Sequence, residues 1–402
     1  MQSLRSNRVV VGGEVRPATV RWVDGVVVDI GGGQADRDFG DLVILPGLVD
    51  SHVHVNEPGR SDWEGFETAT RAALAGGTTT IVDMPLNSVP PTTTLSGLDA
   101  KLAAARGKLA VDVAFWGGIV PGSSGEIGGL VERGVCGFKT FLTDSGVPEF
   151  PPTPIEDLDG LALGVPLLVH AEADDHLGEP GATYSEYLAS RPPRAEGVAI
   201  ERVALLDSPV HILHVSSGDG VDAIASGKVT GETCPHYLIF TDQDVTGTEF
   251  KCAPPIREKA HREALWDGLI SETLSMVVSD HSPSPPGMKT GDFATSWGGI
   301  SSLQLRLPVT WTGAADRGVG FEQLGWWLAH SPARLAGLAD RKGSIEVGKD
   351  ADFVVFDPDD ETVVRGRQLH HRHPITPYEG MRLRGRVVDT ILGSPARMLE
   401  RT

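Results

Sequence analysis

Cysteine is scarce here and cannot be paired off. The 402 residues hold three, Cys136, Cys234 and Cys252, widely spaced and in apolar surroundings. That odd, scattered set excludes a disulfide framework and suits a reducing compartment, so the expected location is the cytoplasm. Long apolar runs are missing as well. Residues 1–10 lack the apolar core of a secretory leader, and no stretch approaches the roughly 18 uninterrupted apolar residues of a membrane-crossing helix. Positive charge is in deficit: 35 Lys and Arg against 54 Asp and Glu give a formal net charge of −19. A surface of that sign repels nucleic acid and anionic membranes, so neither is expected as a partner. Internal repeats, charge blocks and low-complexity segments are also absent.

What is present describes a globular protein with many tight turns: 40% apolar residues, 49 Gly and 28 Pro. The length suffices for one large barrel plus a small satellite domain. Residues 8–11, 19–23 and 26–30 alternate with period two and are broken by glycine, which predicts short strands. Residues 343–356 and 383–392 repeat that pattern at the far end. The two ends, 1–46 and 341–402, are therefore expected to pair into a small β-sandwich domain.

Between them, residues 47–340 alternate apolar strands with helical stretches, the pattern of parallel βα units. Eight strand candidates fall at 43–49, 79–84, 111–117, 136–142, 166–170, 211–216, 233–238 and 275–279. Residues 63–75 follow helical spacing and end at Gly76-Gly77, as a helix C-terminus does. The fold class expected is α/β, a (β/α)8 TIM-type barrel, whose functional groups gather at the C-terminal ends of the strands.

Polar residues fall at those ends. His52 and His54 lie two apart in a strand and so project together, half of a site for a transition metal. Lys139 stands between phenylalanines in the fourth strand, where a lone cation is costly to bury. It either snorkels or pairs with a carboxylate, or else it has reacted with CO2 to a carbamate able to bridge two metal ions. His170 closes the fifth strand, His214 the sixth and Asp280 the eighth; His211 lies one odd step from His214 and is expected on the other face. Such residue types at successive strand ends point to a metal site.

These residues sit in strings that resemble the cyclic-amidohydrolase branch of the amidohydrolase superfamily, and within it the allantoinase family. They are 46–60 (PGLVDSHVHVNEPGR), 63–70 (WEGFETAT), 83–90 (DMPLNSVP), 137–142 with 145–151, 234–238 (CPHYL), 251–258 (KCAPPIRE), 279–283, 297–304 and 369–378 (LHHRHPITPY). The likeness runs nearly end to end. It implies that His52, His54 and Asp280 hold the more buried of two divalent ions, usually zinc, and His170 and His214 the more exposed. Lys139, as N6-carboxylysine, would bridge them together with a hydroxide. His236 is a rival for the sixth-strand ligand, and His236 or His281 could support the ligands from behind.

The implied reaction is hydrolysis of a ring amide in a cyclic ureide, with Asp280 carrying the proton from hydroxide to the leaving nitrogen. For allantoin the product would be allantoate. Alternatives are a hydantoinase or dihydropyrimidinase, then a dihydroorotase, or a non-catalytic assembly protein that has lost its ligands. Dihydroorotases place an arginine two residues after the His pair to grip a carboxylate. Asn56 stands there, so a neutral ring is favoured. Asn56, Asn87 and Ser302 are candidate substrate contacts, and Arg60 is read as pairing with an acid such as Glu64. By the same likeness the chain assembles as a homotetramer, and the segments flanking His170 look trimmed, which bears on the loops over the pocket.

Overall fold

Two tight turns shape the N-terminal strands. In the computed structural model, which describes residues 1–401, strand β1 (Gln2–Val11) pairs with β2 (Glu14–Val23), and β2 with β3 (Val26–Gly31). The two-residue links Gly12-Gly13 and Asp24-Gly25 all have positive φ. This is the turn that matches the twist of an antiparallel pair, and glycine adopts it without strain. The short β4 (Arg37–Asp38) and β5 (Val43–Pro46) both run parallel to β1.

The expected strand at 43–49 is in fact two strands in two sheets. Pro46 has no N–H to continue a ladder. At Gly47, any Cβ would fall 2.3 Å from the Thr79 hydroxyl and 2.8 Å from Asp352 Cβ. Only glycine passes this crossing, and beyond it β6 (Leu48–Val53) belongs to the barrel.

The barrel strands are β6, β7 (Thr78–Asp83), β8 (Asp112–Phe115), β9 (Gly117–Gly118), β10 (Phe138–Phe141), β11 (Leu167–His170), β12 (Val210–Ile212), β13 (Thr230–Thr233) and β14 (Met276–Val277), all paired in parallel. They form a three-stranded arc, β6-β7-β8, and a six-stranded arc, β14-β13-β12-β11-β10-β9. Strands β8 and β9 are one run interrupted at Trp116, whose indole N–H donates to Ser51 O at 2.8 Å. At the other seam Val53 bridges His281, and His54 N–H donates to His281 O at 2.8 Å. The ring of eight strand positions is thereby closed.

Other boundaries differ from the sequence reading too: the sixth strand ends at Ile212 and the eighth at Val277, short of the expected 216 and 279. The first helix spans Phe66–Ala75 and starts after Gly65, at φ 122°. The seventh strand is Thr230–Thr233, not 233–238, because Pro235 opens the short helix Pro235–Ile239, and proline suits a helix's first turn.

The chain then returns to the first sheet. Strand β15 (Phe353–Val363) pairs antiparallel with β5, and β16 (Arg382–Ile391) with β15. Seven strands from both chain ends hydrogen-bond continuously, in the order β16-β15-β5-β1-β2-β3 with β4 on β1. Among the described residues no helix is long and apolar enough to cross a membrane.

One buried ion cluster joins this sheet to the barrel. Lys342 Nζ lies 2.7 Å from Asp112, 2.9 Å from Asp350 and 2.5 Å from Asp352. Asp112 begins β8, while Asp352 precedes β15. Removing the lysine leaves buried Asp112 and Asp352 without a cation, while Asp350 keeps Arg341 and Arg397, so Lys342→Met is expected to destabilise the fold by about 3–5 kcal/mol. Its chemical unfolding midpoint, compared with that of the unsubstituted chain, measures this.

Candidate metal centre

Period two in β6 puts His52 and His54 on one face, with ring centroids 5.5 Å apart, while Val53 turns into the core. His52 Nε2 lies 3.1 Å and His54 Nε2 3.6 Å from Asp280 Oδ1. Lys139 Nζ is 3.3 Å from His52 Nε2. A second pair stands beside the first: His170 Nδ1 and His214 Nε2 are 3.0 Å apart. Each imidazole bond to something behind it decides which nitrogen remains free. His52 Nδ1 is 2.6 Å from Glu232, His54 Nδ1 3.1 Å from Leu86 O, and His170 Nε2 2.7 Å from Glu172. That leaves Nε2 of His52 and His54 beside the Asp280 carboxylate, and Nδ1 of His170 facing Nε2 of His214, whose own Nδ1 is buried with no protein partner. Imidazole nitrogens, a carboxylate and a lysine suit divalent transition metals, and His52, His214 and Asp280 can offer one atom each within 4.8 Å of one another.

His214 has φ 37° and Asp280 φ 43°, left-handed backbone that non-glycine residues seldom adopt. Both turn out of their strands into the cavity.

The electrostatics favour uncharged donors. Burial is the first cause that holds His52, His54, His170 and His214 below the ordinary histidine range. The Lys139 charge adds to it at His52 and His54, and His170 adds to it at His214. Neutral imidazole is the form that binds a cation. Burial likewise pulls Lys139 down and pushes Asp280 up, each opposed by the other's charge. Against the penalty of its own burial, Arg191 and His170 hold the Glu172 carboxyl well below the usual range, so it stays an anion behind His170.

Lys139, His54, His170, His214 and Asp280 border a cavity of about 670 Å³, while His52 lies behind them. Asn87 borders it too, but its amide donates to Asn56 Oδ1 at 3.0 Å, and Asn56 in turn donates to Pro283 O at 3.2 Å. Asn56 is fully buried and off the cavity. Ser302 is also off it, its hydroxyl donating to Ser279 O at 2.6 Å. Arg60 does not pair with Glu64. It reaches Glu149 and Asn87 O instead, whereas Glu64 lies 3.3 Å from His281 and accepts from Arg372 N–H. His281 thus braces the loop, with Nδ1 accepting from Ser302 N–H at 3.2 Å. His236 is grouped with Cys234 and Asp280, and neither ring nitrogen has a protein partner. It is His214, not His236, that faces His170.

Sequence reasoning missed Glu172 and Glu232. Glu232 sits in β13, receives His211 Nε2 at 3.2 Å as well as His52, and is fully buried. The signal was there: a lone carboxylate in a short interior strand needs a partner. The role of the Leu86 carbonyl left no trace in any side chain.

Known proteins match this arrangement. The amidohydrolase family model fits residues 43–178 and 204–394. The allantoinase of Streptomyces avermitilis is 48% identical, over 97% of this chain and 93% of its own length. That of Rubrobacter xylanophilus is 46% identical, over 97% and 92%. Among solved structures, the L-hydantoinase (dihydropyrimidinase) of Arthrobacter aurescens superposes with a TM-score of 0.91 at 30% identity, covering 100% of this chain and 98% of that one. With most of its length matched and its strand-end residues converging as described, the chain belongs to the amidohydrolase family.

Proposed function

We propose that this chain hydrolyses the hydantoin ring amide of allantoin to give allantoate. The observation that carries the reading is near full-length identity of up to 48% to allantoinases, and the gathering of imidazoles, a carboxylate and a lysine at the strand ends supports it. The solved hydantoinases share the fold at 30% identity, which makes hydrolysis of simpler hydantoins the second reading. A non-catalytic assembly role is disfavoured because none of the six candidate ligands is missing.

His52, His54 and Asp280 would hold one divalent ion, and His170 and His214 the other. Lys139, carboxylated at Nζ, would join them, and zinc suits this donor set. When bound, such ions supply a hydroxide that is nucleophilic near neutral pH and polarise the ring carbonyl. The chain's own work is to keep the imidazoles neutral, to fix their orientation from behind, and to move one proton. Asp280 takes it from the attacking hydroxide on its carboxylate and returns it to the departing ring nitrogen. Burial of Lys139 favours the free amine, the form that adds to CO2. The family likeness extends the reading to a cytoplasmic homotetramer, whose mass light scattering would measure.

A panel of allantoin, hydantoin, dihydrouracil and dihydroorotate is the direct test on metal-loaded protein. Fastest ring opening is expected on allantoin, and turnover confined to the other rings would reassign the substrate. Lys139→Ala is expected to lose bound metal and ring opening together, while the intact native protein should carry the added mass of one CO2. Glu232→Ala should weaken metal affinity by about 10–100-fold through loss of the His52 Nδ1 contact, as read by chelator competition.

A further inference from the structure

The polar side chains around the cavity are mostly engaged with the protein itself. Arg191 Nε and Nη2 both donate to Glu172, Thr143 donates to Asp174, and Ser145 to Phe150 O. Lys251 is different. It belongs to the string KCAPPIRE, whose lysine has no part in the chemistry above. It borders the same cavity as His54, His214 and Asp280 and is 7% exposed. Its ammonium donates to Ser296 O at 2.6 Å and lies 5.1 Å from the centroid of the Tyr187 ring. Among the described residues no carboxylate comes within ion-pairing distance of it. The neighbouring Lys289, by contrast, donates to both Lys251 O and Gly299 O, which accounts for that cation structurally.

An ammonium has three hydrogens to donate, and Ser296 O takes one, so Lys251 retains donors at the cavity wall, where a buried cation without a counter-charge is costly. A neutral carbonyl can receive them, and a hydrogen bond from a charged donor is stronger than a neutral one. Allantoin differs from hydantoin by the ureido group on its ring carbon. With the ring amide directed at the imidazole cluster, that substituent would meet the remaining wall, which Lys251 borders.

We propose that Lys251 is a specificity-determining residue that donates to the ureido carbonyl of the substrate and so selects a ureido-bearing hydantoin over a bare one. This rests on the proposed function. The test compares unsubstituted, Lys251→Met and Lys251→Arg enzymes, each reloaded with zinc, on allantoin, hydantoin and hydantoin-5-acetate. For Lys251→Met the allantoin kcat/KM should fall about 10–100-fold, mainly through KM, with hydantoin changed by no more than about twofold. Lys251→Arg should recover part of the loss. An equal fall on hydantoin would mean that the lysine only supports the Ser296 loop, and would overturn the inference. So would an unchanged allantoin rate, or a larger loss on hydantoin-5-acetate, which would make the lysine a carboxylate receptor. Failure of the unsubstituted enzyme to open allantoin is a separate result, which overturns the proposed function and this inference with it.

Discussion

An imidazole has two nitrogens, and a metal site needs one of them pointed inward. In this chain that choice is made from behind. Glu232 holds His52, Glu172 holds His170, and the Leu86 carbonyl holds His54. Each contact fixes a ring orientation and leaves the opposite nitrogen facing the common point. The remaining features follow from the need to keep those contacts dry. Glu232 and Glu172 are completely buried, and a buried anion survives only with partners. Glu172 has Arg191 for this, and Glu232 has His211, which continues to Thr230 at 2.7 Å.

A further polar layer lies beneath the ligands. Asp50 accepts from the backbone N–H groups of His52 and Ser279, each at 3.2 Å, so one carboxylate steadies both the first and the last barrel strand. Arg306 is fully buried below it and donates to Val49 O at 2.8 Å and Val277 O at 3.3 Å. The barrel floor is therefore tied together by charge-assisted bonds to backbone carbonyls. Such a floor suits a reaction that requires its donors held in fixed positions.

Much of this was legible in the sequence because period two and strand-end position are local properties. His52 and His54 could be placed on one face from spacing alone, and Lys139 stood out as a charge among phenylalanines. What was not legible depends on the third dimension. Whether a run such as 43–49 is one strand or two is set by how closely Thr79 and Asp352 approach Gly47. Which acid meets Arg60 depends on two segments that lie 89 residues apart in the chain. Asn56 and Ser302 carry the right chemistry for binding but are consumed by internal bonds, a fact that no one-dimensional pattern can express. Glu232 was visible only as an unexplained carboxylate in a short strand.

The Val53–His281 bridge has a consequence of its own. The seam that shuts the ring lies between the residues that carry the donors, with His52 and His54 on one side and Asp280 on the other. Circularisation and assembly of the reactive centre are thus a single event. Without that pairing nothing would bring the last strand's carboxylate to 3.1 Å from His52 Nε2.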